Sequence, residues 1–141
     1  MSALDGVVAL QRFSTARVAV LGTVDEDGSP HLVPVTFVVS DNVVAFAVDY
    51  KPKTTTGLRR LRNIEGNPRV SFLVDTYDDD WARLWWVRVD AVAETVPGGG
   101  PQDAAIDALA LKYSQYRQIR PAGPVVLAYV RKVVGWTASP A

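Results

Sequence analysis

The sequence predicts a mainly β protein, an antiparallel barrel of six strands with short helical insertions. Six runs rich in β-branched and aromatic residues alternate with turn-forming residues along the 141-residue chain. Few of these runs are separated by a helix that could make a β-α-β crossover, which argues against a doubly wound parallel sheet. A chain of this length can form one hydrophobic core without disulfide or metal support. We therefore expect a single domain over residues 1–141.

The six strand predictions rest on apolar runs, alternation and turn signals. Residues 17–24 are apolar on both faces, so we expect this strand to be buried on two sides. The DEDGSP turn at residues 25–30 and the turn at residues 41–42 separate it from the two strands that follow. The strands are predicted over residues 17–24, 31–39, 43–49, 69–75, 84–95 and 125–136.

Three helices are predicted, over residues 2–12, 56–63 and 103–117. A threonine near Thr56 caps the second helix, and Gly66 with Pro68 ends it. Asp103 caps the third helix, which follows a PGGGP loop without a phosphate-binding signature. The apolar positions expected to face the core are Leu4, Val7, Val8, Leu10, Leu58, Leu61, Ile64, Ile106, Leu109, Ala110 and Tyr113.

Residues 84–95 show a clean two-residue alternation. Trp85 begins a face that continues with valine and alanine, whereas Trp86 begins a face that continues with arginine, aspartate and glutamate. The first face is predicted to lie in the core, and the second to be polar but aromatic. Either tryptophan could equally be a core or a dimer contact, because aromatic residues dominate both environments.

Pro34 lies inside the second predicted strand, where it cannot donate a ladder hydrogen bond. It must therefore lie at a sheet edge or a bulge. Two interpretations stay open. The interrupted ladder leaves main-chain groups of Val33, Val35 and Thr36 free to bond the edge of a flat heteroaromatic ring, or the proline only blocks aggregation at an exposed edge.

The most distinctive segment is DYKPKTTTGLRRLRNIEGNPR, residues 49–69. Between Lys51 and Arg69 it carries six basic residues against Glu65 alone. Lys51, Lys53 and the threonines that follow precede a helix start, whose unpaired N–H groups and dipole favour a phosphate. The acidic residues at 75–80 favour a small anionic ligand over nucleic acid. The alternative is a solvated basic turn.

The composition excludes several kinds of site. Cysteine is absent and His31 is the only histidine, so disulfides, thiolate metal sites and sites built on several imidazoles are excluded. A single axial haem ligand from His31 stays open. Adjacent aspartates at 78–80 cannot all converge on one cation, so we expect no metal site. With no apolar run near the ~20 residues that span a bilayer and no secretory leader, we expect a cytoplasmic protein that contacts no membrane.

These residues resemble the flavin and deazaflavin oxidoreductases of the pyridoxamine-5′-phosphate-oxidase-like split β-barrel superfamily. The likeness runs nearly end to end, through DEDGSP, HLVPVTFVV, VVAFAVD and KPKTTTGLRRLRNIEGNPRVSFLVD. The lysine-x-lysine and asparagine-proline combination is its specific part, and is similar to the coenzyme F420-dependent branch found in actinobacteria. The arginine-x-x-leucine-leucine-lysine flavin motif and the C-terminal arginine and histidine of the true oxidases are missing. The resemblance therefore implies a split barrel with coenzyme F420, flavin mononucleotide (FMN) being the alternative, and argues against vitamin B6 oxidation.

The resemblance also implies a cofactor site. Lys51 and Lys53 would bind the cofactor phosphate, and Thr54 with Thr55 would supply hydroxyl and backbone donors. In the family the site lies at a homodimer interface, so Trp85 or Trp86 would reach the cofactor of the partner chain. The residues that would lie beside the ring are Pro34, Val35, Thr36, Val48 and Asp49.

The function implied is that of an F420H2-dependent reductase that passes hydride to a small organic substrate, which the sequence does not identify. In such an enzyme the protein orients the reactants, excludes water and tunes the electrostatics. Two alternatives remain: an FMN oxidoreductase on the same scaffold, and a non-catalytic cofactor-binding protein, which fits the lack of an obvious acid-base residue. Because one small barrel cannot enclose a ligand of dinucleotide size, we expect a symmetric dimer with two shared sites.

Overall fold

The computed structural model describes residues 2–48 and 56–139, with the backbone alone described for residues 56–58. These residues form one antiparallel sheet of eight strands, four α-helices and a 3-10 turn at Trp81–Arg83. The strands are β1 (Ser2–Ala3), β2 (Ala19–Val24), β3 (Pro30–Val35), β4 (Val38–Ser40), β5 (Val43–Ala47), β6 (Arg69–Thr76), β7 (Trp85–Val96) and β8 (Val125–Thr137). The helices are α1 (Gly6–Ser14), α2 (Thr56–Gly66), α3 (Gly100–Lys112) and α4 (Ser114–Gln118).

The two edges of the sheet are consecutive strands. The spatial order is β3-β2-β6-β7-β8-β5-β4, with β1 paired to the far end of β8. β3 and β4 are thus the outermost strands, although only Thr36 and Phe37 separate them in the sequence. The sheet must therefore curl until its two edges meet at this link, yet no ladder closes it within the described ranges. We call Thr36 and Phe37 the edge corner.

The mainly β class is confirmed, but the count of six strands is corrected to eight in the described chain. The strand predicted over residues 31–39 is two strands, because the main chain of Phe37 bonds the hydroxyl of Tyr113 and leaves the ladder. That split adds one strand, and the other additional strand is β1, which pairs with the last two residues of β8. Two residues are too few for a visible alternation, so the sequence carried no signal for it.

Helix α1 packs on the sheet through Ala9 and Phe13, which are both fully buried. The prediction that Val7 and Val8 face the core is wrong, since they are 66% and 40% exposed. The helix begins at Gly6 rather than at residue 2. Its inner face is therefore formed by Ala9 and Phe13, which lie four residues apart on one side of the helix. Its close approach depends on Gly135 in β8, where an added Cβ would lie 2.9 Å from the Cβ of Ala9.

Four buried phenylalanines organise the core. The ring centroid of Phe13 lies 4.7 Å from that of Phe37 and 6.2 Å from that of Phe72, and Phe46 meets Phe72 at 6.1 Å. These tilted and edge-to-face contacts add to the stabilisation from burial. Because Phe37 belongs to the edge corner, the aromatic core fixes that corner from the inside.

Alternation is as predicted in β7 but not in β2. In β7 the residues on the face of Trp85 are buried, and those on the face of Trp86 are more exposed. β2 was expected to be buried on both sides, yet Leu21 is buried whereas Val20 is 37% exposed. The curled sheet encloses only one face of β2, and the other face stays partly exposed in the described chain. The outer face of β2, β6 and β7 is therefore open.

Helix α2 ends at Gly66, three residues beyond the predicted end at residue 63 and at one of the two residues predicted to stop it. Ile64 is buried and Leu61 packs against the core, which confirms two of its three predicted inward positions. The third position, Leu58, and the predicted cap Thr56 have side chains outside the described part. No helix within residues 2–48 and 56–139 has the length and apolarity to cross a membrane.

The helix predicted over residues 103–117 is two helices, α3 and α4. α3 begins at Gly100, inside the predicted loop, with Pro101 in its first turn, where a missing N–H donor has no cost. Tyr113 separates the two helices because its backbone is extended, with φ −120° and ψ 120°. This break places the aromatic side chains at the end of the helical pair beside the edge corner.

Candidate functional site

One tyrosine hydroxyl holds the main chain at the edge corner. The N–H of Phe37 donates to the Oη of Tyr113 at 3.1 Å, and the single proton of this hydroxyl is shared between the carbonyl oxygens of Phe37 and Arg17, at 3.0 and 2.9 Å. Burial raises the pKa of Tyr113, against the opposing effects of the Phe37 backbone and the Arg17 charge. The hydroxyl therefore stays protonated at neutral pH and ties together three main-chain groups.

A second tyrosine reaches the side chain at the same corner. The Oη of Tyr116, in α4, lies 2.7 Å from the Oγ1 of Thr36, and both residues are half-buried. The rings of Tyr113 and Tyr116 meet edge to face with their centroids 5.7 Å apart. The break between α3 and α4 thus lets one tyrosine bind the backbone of the edge corner and the other bind its hydroxyl.

Two cations flank the corner on the side of α1. The Nζ of Lys112 lies 4.0 Å from the ring centroid of Phe37 and donates to the carbonyl of Ser14 at 3.1 Å. Arg17 lies over the ring of Tyr113 at 4.7 Å and donates to the Lys112 carbonyl at 3.0 Å. Burial, and then the charge of Arg17, lower the pKa of Lys112 to about 8. These contacts fix the helical pair to the sheet.

Three of the predicted ring-side residues in the described chain lie on the edge strand or at the end of β5. Pro34 is exposed on the edge strand β3, opposite Val20, as its missing N–H required. Val35 and Val48 are 6% and 1% exposed, so their side chains lie in the core and only their main chain could meet a ligand. The N–H of Val48 already donates to the carbonyl of Pro124 at 3.0 Å.

The register of β4 and β5 brings the exit of β5 to the edge corner. Val38 lies opposite Ala45 in this antiparallel pair. Val38 is the residue that follows the edge corner, and it packs in one apolar cluster with Ala45 and Ala47, the last residue of β5. Five other predicted site residues come within the seven positions after Val48 and lie outside the described residues: Asp49, Lys51, Lys53, Thr54 and Thr55.

The two tryptophans of β7 lie on opposite faces of the sheet. Trp85 packs against the core, with the guanidinium of Arg12 5.3 Å from its ring centroid. Trp86 lines a shallow depression of about 400 Å³ on the open outer face, together with Leu73 and Tyr77. Of the two tryptophans, only Trp86 therefore lies on the open outer face.

The outer face also carries a short polar network. The guanidinium of Arg88 donates to both carboxylate oxygens of Asp90, at 3.0 and 3.3 Å, and the hydroxyl of Ser71 donates to the same carboxylate at 2.8 Å. This network lines a second depression on the outer face, of about 850 Å³, and Arg69 and Arg131 line it as well. Its one carboxylate is already bonded to Arg88, so this part of the face is net positive.

Acid-base and metal chemistry have few candidates in the structure. Across the two described ranges no three carboxylate or imidazole groups lie together as metal ligands would. His31 lies on the edge strand β3, opposite Thr23. The corner instead offers hydroxyls and main-chain groups, which can orient a bound molecule by hydrogen bonding.

The sequence did not single out Lys112 or Tyr116, and it identified Tyr113 only as a core residue. The contacts that bring the two tyrosines to the corner span 76 and 80 residues. No local spacing encodes a contact over such a separation. The one available signal was the spacing of Tyr113 and Tyr116, which lie three residues apart near the end of a predicted helix. Side chains at this spacing share one face only in a continuous helix, and the helix breaks at Tyr113.

The sequence matches the family described as Pyridoxamine 5′-phosphate oxidase over residues 8–136. This range covers most of the chain, and the chain belongs to that family. The predicted resemblance to this family is thereby confirmed. The narrower likeness to the F420-dependent branch stays a prediction. No curated protein sequence matches the chain.

Solved structures share the fold at low sequence identity. An FAD-binding protein from Mesorhizobium loti has 20% identity and a TM-score of 0.74, with 95% of each chain covered. An FAD-binding protein from Mycobacterium smegmatis has 20% identity and a TM-score of 0.65, covering 96% of this chain and 97% of its own. A haem-binding protein from Mycobacterium smegmatis has 20% identity and a TM-score of 0.69, covering 92% of this chain and 56% of its own. At this identity the likeness shows a shared fold.

Proposed function

We propose that this chain binds the deazaflavin coenzyme F420 and passes hydride from its reduced form to a small organic substrate. Membership of the Pyridoxamine 5′-phosphate oxidase family supports an oxidoreductase. The likeness of residues 49–69 to F420-dependent proteins supports the deazaflavin. The observation that carries the proposal is the edge corner, a fixed polar break in the sheet edge that lies beside the exit of β5.

The groups at the edge corner fit a planar ring with a polar rim. β3 has β2 as a partner on one side only, so its outer side presents main-chain groups that an added ligand can bond. The hydroxyl of Thr36 adds a donor or acceptor at the end of that edge. Pro34, also on this edge, prevents a continuous ladder with another strand. A flat heteroaromatic molecule can use this edge where a strand cannot.

The residues after Val48 would hold the acidic part of the cofactor. Lys51 and Lys53 would bind the phosphate through charge-assisted hydrogen bonds, worth about 1.5 to 3 kcal/mol each. Thr54 and Thr55 would add hydroxyl and backbone donors next to the start of α2, whose dipole favours an anion. Attachment at the phosphate leaves the ring to be oriented by the edge corner.

Reduced F420, when bound, supplies the hydride from its ring carbon. The chain's own contribution is to hold the ring edge at a fixed position and to keep water away from the reacting face. The rigidity of the corner serves the first task, since Tyr113 and the aromatic core hold its backbone from two sides. A proton must follow the hydride to the substrate, and because water can supply it, a dedicated acid-base residue is not required.

A flavin is the second candidate cofactor, and the likeness of the fold to FAD-binding proteins favours it. The same corner would accept the isoalloxazine ring of FMN, whose rim carries a similar set of polar atoms. The missing arginine-x-x-leucine-leucine-lysine motif argues against it.

We also propose a homodimer that shares two cofactor sites. The open outer face carries apolar side chains that a second copy would cover, among them Val20 at 37% and Leu73 at 40% exposure. Trp86 lies on this face and would reach the cofactor of the partner. Light scattering at working concentration should give the mass of two chains, and a monomer would contradict the shared site.

Titration of the purified protein with F420, FMN, FAD and haemin, each alone, tests the proposed function. We expect F420 to bind at micromolar concentration or tighter, and the others more weakly. Single-turnover oxidation of bound F420H2 by a panel of electron-poor and unsaturated compounds then distinguishes a reductase from a protein that only binds the cofactor. Tighter binding of FMN or FAD would move the assignment to a flavin enzyme, a haemin Soret band without flavin binding would overturn both, and no binding at all would overturn the proposal.

A further inference from the structure

The hydroxyl of Thr36 is the one side-chain polar group at the edge corner, and another side chain already engages it. The neighbouring Phe37 is fully buried in the aromatic core, whereas Thr36 is half-buried. Its Oγ1 lies 2.7 Å from the Oη of Tyr116, which is the usual distance for a hydrogen bond between two hydroxyls. The bond joins residues 80 apart in the sequence.

The helical pair holds Tyr116 rigidly in this position. The guanidinium of Arg117 donates to the carbonyls of Ala110 and Leu111 at 2.7 and 3.1 Å, which ties α4 back to the end of α3. The edge-to-face contact of the rings of Tyr113 and Tyr116 fixes the direction of the second ring. The phenol of Tyr116 therefore meets Thr36 from a fixed direction.

Each of the two hydroxyls has one proton and can also accept, so either oxygen can be the donor in this hydrogen bond. In one of the two arrangements Tyr116 donates and Thr36 accepts. The proton of Thr36 is then left for another acceptor, and the threonine hydroxyl becomes a donor of defined direction at the sheet edge.

We propose that Tyr116 is a positioning residue that makes Thr36 a hydrogen-bond donor to an acceptor atom on the rim of the bound ring, a carbonyl oxygen or an unprotonated ring nitrogen. This inference rests on the proposed function, because it requires a ring at the edge corner. It goes further in assigning a role to α4 and in stating which kind of atom of the ring faces Thr36. A ring that presents an N–H at this point would be disfavoured.

The test uses the full-length protein with four single variants and one double variant. Tyr116→Phe removes one hydroxyl and keeps the ring contact, Thr36→Val removes the donor, and Thr36→Ser keeps it. Tyr129→Phe is the matched control, since the Oη of Tyr129 donates to Glu94 at 2.6 Å on an exposed part of β8. Affinity for the cofactor that binds the wild type, and the absorption spectrum of that bound cofactor, are measured for each.

We expect Tyr116→Phe and Thr36→Val each to weaken cofactor binding about five- to tenfold, as for the loss of one oriented hydrogen bond, and to shift the absorption maximum of the bound ring. The double variant should be little weaker than either single variant, because both changes remove the same interaction. Thr36→Ser should rescue most of the affinity, and Tyr129→Phe should match the wild type.

The outcomes separate this inference from the proposed function. If the wild type binds none of the cofactors, the proposed function fails and the inference fails with it. If the wild type binds a cofactor and Tyr116→Phe leaves its affinity and spectrum unchanged, only the inference is overturned. Equal losses in Tyr116→Phe and Tyr129→Phe, or fully additive losses in the double variant, would also overturn it.

Discussion

Replacement of Tyr113 by phenylalanine should destabilise the fold strongly for the loss of a single oxygen atom. That oxygen accepts a hydrogen bond from the N–H of Phe37, and its one proton is shared between the carbonyls of Phe37 and Arg17. Tyr113 is 5% exposed and Phe37 is fully buried, so water cannot easily replace the hydroxyl. The variant leaves at least one buried donor and one buried acceptor unpaired.

The expected loss follows from these unpaired groups. A buried polar group left without a partner costs about 1 to 3 kcal/mol, and partial relaxation brings the sum for this site to about 2 to 4 kcal/mol. The control Tyr129→Phe removes an exposed hydrogen bond and should cost about 0.5 kcal/mol or less. Urea unfolding at neutral pH, with the free energies extrapolated from curves of equal slope, measures both.

A loss in Tyr113→Phe no larger than that of Tyr129→Phe would refute the reasoning. It would mean that the edge corner is not held by this hydroxyl. If the loss is as large as expected, the cofactor affinity of the folded variant should fall as well, because the same hydroxyl fixes the strand edge beside the proposed ring.

Three further predictions concern other parts of the molecule. Gly135→Ala should destabilise the fold by about 1 to 3 kcal/mol in urea unfolding, because its Cβ would lie 2.9 Å from that of Ala9; an unchanged midpoint would contradict the packing of α1. The pKa of Lys112 is lowered from its ordinary 10.5 to about 8 in the folded chain. Between these pH values the unfolded chain binds more protons than the folded chain, so the free energy of unfolding should rise with pH. Because Lys112 is partly exposed, we expect a rise of about 1 kcal/mol. Lys112→Met should abolish this rise when unfolding is measured at pH 8 and pH 10, and parallel pH profiles would contradict the shift. Lys53→Ala should weaken cofactor binding while the single-turnover rate at saturation stays near that of the wild type, and the opposite pattern would remove Lys53 from the phosphate site.

The sequence predicted those parts of the fold that local patterns encode. The alternation from Trp85 onwards correctly divided β7 into a buried and an open face. Pro34 correctly indicated an edge strand, because a missing N–H donor has the same consequence in any sheet. The aspartate and glycine at residues 25–30 correctly marked a turn, in which Gly28 adopts a φ of 82°.

The errors arose where a distant contact decides the local structure. The strand over residues 31–39 ends early because the hydroxyl of Tyr113 takes both polar groups of Phe37. The helix over 103–117 breaks at Tyr113, although its composition favours continuation. Val20 was expected to be buried because an apolar run does not show which of its faces is covered.

The candidate site, like the fold, was predicted only in part. The resemblance supplied Pro34 and Thr36, which the structure places on the edge strand and at the edge corner. Trp86, and not Trp85, lies on the open face, as the alternation over residues 84–95 predicted. The partner of Thr36 could not be predicted, since Tyr116 reaches it only after the helical pair has broken and packed.

A crystal structure of the protein with F420 bound tests the central claim most directly. We expect the phosphate within hydrogen-bonding distance of the amines of Lys51 and Lys53, and the rim of the ring against the edge corner, with an acceptor atom facing the hydroxyl of Thr36. Amines that point into bulk solvent, away from the cofactor and from a second copy of the chain, would contradict the account.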